Sequence, residues 1–106
     1  MTFLPPPAVR EAAALALAVR AAMPPSQRGM TPVGLARARD LRAGRAVSLT
    51  TIRRMHSYFA RHAVDKQGKT WRARGKGWQA WYGWGGDAGR AWARAVLDFV
   101  EAVDAR

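Results

Sequence analysis

The chain has 106 residues, enough for one domain, and its 49% hydrophobic and 24% charged content excludes bulk disorder while allowing a single modest core. Eighteen Lys+Arg against seven Asp+Glu give +11, a balance that favours an anionic partner: nucleic acid, a membrane surface or an acidic protein face. The absence of cysteine excludes disulfides, thiolate nucleophiles and cysteine zinc sites, and the longest apolar run, Ala12–Val19, falls well short of the about 20 residues of a membrane span.

The N-terminus begins Met-Thr-Phe-Leu-Pro-Pro-Pro, without the leading positive charge of a signal peptide, so the chain reads as intracellular when made. Pro5–Pro7 set an extended start, and Pro7 suits a first helical position. From Val9 to Met23 the chain is dominated by Ala and Leu, the best helix formers, with Leu15, Ala18, Val19 and Ala22 on one face. Pro24-Pro25 must end this helix, since neither can donate a hydrogen bond and Met23 is pushed from helical geometry. Thr31-Pro32 starts the next, an N-cap hydroxyl followed by proline, with Leu35, Ala38 and Leu41 facing inward and Gly44 as the stop. Ser48 caps a third helix, whose stripe of Leu49, Ile52, Met55, Phe59 and Ala63 is the clearest amphipathic pattern in the chain.

Asp65–Gly77 carries five cations, three glycines and no acid after Asp65, and reads as an exposed basic loop. Trp78, Trp81 and Tyr82 predict a short helical turn with one aromatic face. Gly85-Gly86 breaks it, and Asp87 is expected to cap a last helix with the stripe Trp92, Val96, Phe99, Val100 and Val103. There is no run of strand alternation, no internal repeat and no heptad register. The expectation is an all-α single domain, a small bundle of four or five helices with a basic loop. Residues 1–30 are expected to form an N-terminal arm and helix available for docking, and residues 31–106 the helical core.

The charge is concentrated. Between Arg20 and Gly77 lie 14 cations and two acids, so the whole excess sits in the middle of the chain. Fifteen of the 18 cations are Arg, alongside 22 Ala, a bias that a G+C-rich genome produces by itself. A contiguous basic surface built from the second and third helices plus the loop would bind a partner through Lys66, Lys69, Trp71, Arg72, Arg74, Lys76, Arg53 and Arg54. Trp71, set in the polar loop, is the best contact candidate among five tryptophans. Trp81, Trp84 and Trp92 read as structural, as do Gly85, Gly86 and Asp87 in the corner before the last helix. That corner lacks the lysine and spacing of a phosphate loop. Alternatively, Thr31–Arg61 is a helix–turn–helix-like segment in which Ser48, Thr50, Thr51, Arg53 and Arg54 would meet nucleic acid. His56 and His62 diverge by about 120° on one helix and cannot chelate together. His62 and Asp65 could share a side if the helix continued, but two ligands make no metal site. No carboxylate pair or nucleophile–base spacing is present, so no catalytic residue, metal or cofactor is expected.

Val33-Gly-Leu-Ala-Arg-Ala-Arg-Asp-Leu41, Ser48–His62, Val64-Asp65-Lys66 and Gly77–Ala93, with its Trp84-Gly85-Gly86-Asp87-Ala88-Gly89-Arg90 centre, resemble a module recurring in tailed-bacteriophage and prophage proteins. That module occurs in chains encoded among head-assembly genes, sometimes attached to capsid or maturation-protease proteins, and has no catalytic role. The resemblance covers about 60 of the 106 residues, with Tyr58–His62 and Trp84–Asp87 its most specific parts. It implies a non-enzymatic phage structural protein, made in the bacterial host cytoplasm and carried on the virion. Such a protein would act as a capsid-associated cement, auxiliary or head-assembly component, bound in many copies to acidic surfaces of the major capsid protein. Two departures stand out: Ala63 replaces the module's usual acid, and Gly68–Lys76 is shorter and more basic than its usual Gly/Pro insertion.

Overall fold

In a computed structural model that describes residues 1–106, helix boundaries follow the punctuation in the sequence. Helix α1 (Pro7–Ala22) opens on proline and ends where Met23 turns extended ahead of Pro24. Helix α2 (Pro32–Arg42) is capped by Thr31, whose hydroxyl accepts the Gly34 N–H at 3.1 Å, and Gly44 leaves it at φ +71°. Helix α3 (Leu49–His62) is capped by Ser48, which accepts the Thr51 N–H at 3.2 Å. Helices α4 (Lys76–Gly83) and α5 (Gly86–Asp104) complete an all-α fold that is 72% helical. Its only sheet pairs β1 (Thr2–Phe3) antiparallel with β2 (Val47–Ser48), Phe3 opposite Val47. Two residues per strand are too few to leave an alternation in the sequence. No helix is long and apolar enough to cross a membrane.

Helix α1 packs against α2, α4 and α5, while α3 packs against α5. Trp81, Phe59, Leu41, Ile52 and Met55 fill the centre, each at most 1% exposed. Burying an aliphatic or aromatic side chain of this size contributes about 1.5 to 3 kcal/mol, so these five dominate the stability of so small a domain. The buried face of α1 is Val9, Ala13 and Ala16, and Leu15 of the expected face is 39% exposed. Alanines let α1 approach its neighbours closely, and this close approach selects the smaller residues over the leucine. Residues 1–30 thus contribute to the same core as residues 31–106, and the packing has no boundary at residue 30.

The start of α5 also differs from expectation. Gly85, at φ +113°, occupies the N-cap, and Asp87 sits in the first turn instead. A Cβ on Gly85 would lie 2.9 Å from both the Gly89 Cα and the Val9 Cγ1, and one on Gly89 would lie 2.7 Å from the Trp84 carbonyl oxygen. The α4–α5 corner is therefore closed backbone against backbone. This fixes the rotation of α5, so Gly89, Ala93, Val96 and Val100 face inward while Phe99 (56% exposed) and Val103 (37%) leave the predicted core stripe. The segment after α3 is likewise less open than its composition suggests: Ala63–Gln67 forms a 3-10 turn, and Trp71 is half-buried.

Candidate functional site

A groove of about 720 Å³ runs between the Arg28–Met30 loop, the first turn of α2, one side of α3 and the face of α4. Its lining includes Arg28, Arg54, Arg61 and Lys76 and contains no acid. By contrast, the second depression, between α3 and the end of α5, sets Arg53 and Arg94 among Asp98, Glu101 and Asp104. Positive charge is thus uncompensated at one place in particular, and the capped N-terminus of α2 adds the positive end of a helix dipole there.

The groove wall is aromatic. Tyr58 stacks on Trp84 (centroids 4.8 Å, planes 13° apart) and on His62 (4.5 Å, 22°). His62 Nδ1 lies 3.1 Å from Asp65 Oδ2, so the expected pairing of these two side chains is realised. Ser57 shares the groove but makes no hydrogen bond to His62. The Tyr58 ring is 5% exposed, and its hydroxyl is buried without a hydrogen-bond partner. Burial first, and the nearby Asp65 charge second, push the phenol up from its usual value, so it stays neutral and keeps its proton to donate.

Arg37 supports this wall from α2. Its guanidinium lies 5.9 Å from the Trp84 ring centre and 3.7 Å from Asp40, with its Nε buried and unpartnered. Burial holds it below the usual arginine range; Asp40 opposes that shift and the neighbouring Arg54 charge adds to it. An anion in the groove would meet Arg54 directly and relieve the Arg37–Arg54 repulsion at the same time.

The residues expected from sequence are dispersed over several sites. Arg54 and Lys76 reach the groove. Lys66 pairs with Asp87 at 2.6 Å and lies 4.8 Å from the Trp81 ring centre, while Arg74 covers Trp78 at 4.9 Å. Trp71 stands edge-on to Trp81 at 6.2 Å and is half-buried against the core, so most of its ring is a packing surface. Lys69 and Arg72 are exposed, and Arg53 lines the mixed-charge depression on another side of α3.

Ser48 and Thr51 are joined hydroxyl to hydroxyl at 3.1 Å in the α3 cap, beside β1. Thr50 is exposed, and α2 packs on α1 and α4, whereas α3 packs on α5. Trp81 is wholly buried, its indole N–H donating to Asp87 at 2.9 Å, while Trp84 and Trp92 are half-buried. Hydrogen bonds from Lys66, and then from Trp81, keep Asp87 below the usual carboxylate range against the opposing effect of burial.

Arg28, Arg37, Tyr58, Arg61 and Gln79 are not among the site residues expected from sequence, although Tyr58 and Arg61 lie in the stretch that carries the resemblance. Arg54, Tyr58 and Arg61 do share one helical face at steps of four and three, a pattern that was available. Gln79 gave no such signal. It is fully buried, accepts the Gly29 N–H at 2.7 Å, and donates to the carbonyls of Arg74 (3.0 Å) and Gln27 (3.2 Å). It thereby fastens two loops that carry the groove rim onto α4. No family model, curated protein or solved structure matches this chain.

Proposed function

We propose that this chain is a non-enzymatic bacteriophage structural protein, a capsid-associated cement or head-assembly component that grips an acidic segment of a capsid protein in the groove. The observation carrying this reading is the groove lining, four cations and no acid around a half-buried aromatic wall. Its volume suits a short peptide segment, with arginine forks for carboxylates and the Trp84 surface for an apolar neighbour. The resemblance of Tyr58–His62 and Trp84–Asp87 to the phage module supplies the setting. Many copies on a symmetric shell convert weak single contacts into firm attachment.

Co-sedimentation of the full chain with purified capsids tests this. Wild type pellets with the particles, Arg54→Glu/Arg61→Glu stays in solution, and Arg39→Glu, exposed on α2 but not in the groove lining, still pellets. The competing reading is DNA binding through Ser48–Arg54. It draws on the exposed Thr50, Arg53 and Arg54, but Ser48 and Thr51 already satisfy each other in the cap. Gel shifts that keep site preference at about 0.2 M salt, together with no capsid association, would replace the structural reading with that one.

A further inference from the structure

The groove is a trough between two helices. Arg54, Ser57, Tyr58, Arg61 and His62 supply its α3 wall. Lys76 and Ala80 of α4, with Trp84 just beyond that helix, supply the wall opposite. Each set recurs at steps of three or four, so both walls run for about two turns, about 12 Å. The helices are joined in the core, where Phe59 of α3 stands edge-on to Trp81 of α4 at 4.8 Å. From the α2 side, Val33 enters the lining while 59% exposed, an apolar surface without a partner.

Resting on the reading of the groove as a carboxylate site, we infer that its occupant is an acidic amphipathic α-helix lying along α3. Carboxylates seven residues apart on that helix face Arg54 and Arg61. Three observations select a helix over an extended segment. The first is backbone chemistry. An extended peptide needs partners for its own amides, which a receptor supplies at a free strand edge. Here two walls are helices, whose backbone groups are bonded internally. In the loop wall, Gly29 already gives its N–H to Gln79 at 2.7 Å and its carbonyl to Arg20 at 2.9 Å. The strands β1 and β2 contribute nothing to the lining. A helical ligand arrives with its backbone satisfied.

The second observation is size. Two turns of a helix fill a cylinder about 10 Å across and about 11 Å long, about 850 Å³. A trough of about 720 Å³ therefore takes most of them and leaves the outer face in water. The third is spacing. Arg54 and Arg61 lie two turns apart on α3, about 10.5 Å, which glutamates at i and i+7 of a helix alongside would match. Ser57, between them, is small and exposed, so the middle of that wall stays low enough for close approach. Lys76 and Arg28 meet acids on the other flank of the ligand, whose apolar stripe covers Ala80, Trp84 and Val33.

Fluorescence anisotropy with labelled peptides of about 15 residues, long enough to form a helix alone, tests this with the full chain. One peptide carries a leucine–alanine stripe flanked by glutamates at i and i+7. A second has the same composition permuted to break the stripe, and a third is the first with a central proline. Wild type binds the first at least tenfold more tightly than either of the others. Ser57→Trp, which fills the trough from an exposed position and leaves the circular dichroism spectrum unchanged, loses that binding at least tenfold, while Ser57→Ala keeps it. Equal affinity for the permuted or proline peptide, undiminished binding by Ser57→Trp, or no binding of any peptide overturns the inference and leaves the capsid reading in place. Selective binding of the first peptide by a protein that does not pellet with capsids overturns only the capsid reading.

Discussion

Replacing Gln79 with methionine tests the interaction that holds the groove rim together. Methionine matches glutamine closely in length, volume and helix propensity, so neither a cavity nor a weaker α4 accounts for the outcome. What changes is hydrogen bonding. The Gly29 N–H, in a buried residue, loses its acceptor at 2.7 Å, while the Gln27 and Arg74 carbonyls, in exposed residues, lose donors that water can replace. An orphaned buried amide costs about 1 to 3 kcal/mol and each of the two replaceable bonds about 0.5 kcal/mol, giving a net loss of about 2 to 4 kcal/mol. For a domain of this size that lowers Tm by about 10 to 20 °C, read by thermal circular dichroism and confirmed by urea unfolding with an unchanged slope. Gln79→Glu keeps an acceptor for Gly29 but, when ionised, turns a buried charge toward two carbonyls. Its folded state therefore favours the protonated acid, so its stability is retained at acidic pH and lost as pH rises. A Tm within about 3 °C of wild type for Gln79→Met would show that the buried amide contributes nothing net and refute the reasoning.

Gly85→Ala forces a side chain onto φ +113° and against the Gly89 backbone, so it should cost more than about 2 kcal/mol by urea unfolding. Gly44→Ala meets only the movable end of Arg10 at 3.4 Å and should cost about 1 kcal/mol. Asp87 is held below its ordinary value of 3.8, so its stabilising contribution is present above that pH and lost as pH falls through the folded value. The stability gap between wild type and Asp87→Asn should therefore close below about pH 4 in acid titrations followed by circular dichroism. Trp71→Ala should lower stability by about 2 kcal/mol through lost packing on Trp81, with capsid co-sedimentation of the folded fraction little changed. Only four of the 18 Lys and Arg side chains reach a carboxylate, so repulsion outweighs pairing in the free protein. Raising salt from about 0.01 to about 0.1 M, which shortens the screening length from about 30 to about 10 Å, should raise its Tm by a few degrees.

What the sequence made legible was whatever depends on neighbours along the chain. Thr31 and Ser48 cap as expected because a hydroxyl beside the first amide of a helix needs nothing more distant. Pro24 and Gly44 end helices for equally local reasons. The misplacements are tertiary. Leu15 and Phe99 lie on valid helical stripes, but which stripe turns inward is decided by close contacts made elsewhere: the alanine face of α1, and the Gly85–Gly89 corner that sets the rotation of α5. Trp71 sits among polar neighbours in sequence yet packs on Trp81, because a core this small recruits every available ring.

The candidate site was obscured for a related reason. Counting cations along the chain weights Lys66–Lys76 most heavily, but charge acts through what surrounds it. Lys66 is neutralised by Asp87, and Arg74 lies over an indole that accepts it favourably. Arg28, Arg54, Arg61 and Lys76, drawn from three separate stretches, face a common space with no acid among them. Arg37 is half-buried beside Trp84, its Nε out of reach of solvent, at a cost in desolvation. A free protein that keeps these charges together unpaired stores repulsion at that place, which a carboxylate bound there, as proposed, would recover as binding energy. The Tyr58 ring is likewise restricted before anything binds, by its stacking partners Trp84 and His62, so the aromatic wall is preorganised. Affinity at the groove should therefore depend on the rigidity that Gln79 and the α4–α5 corner supply as much as on the cations themselves.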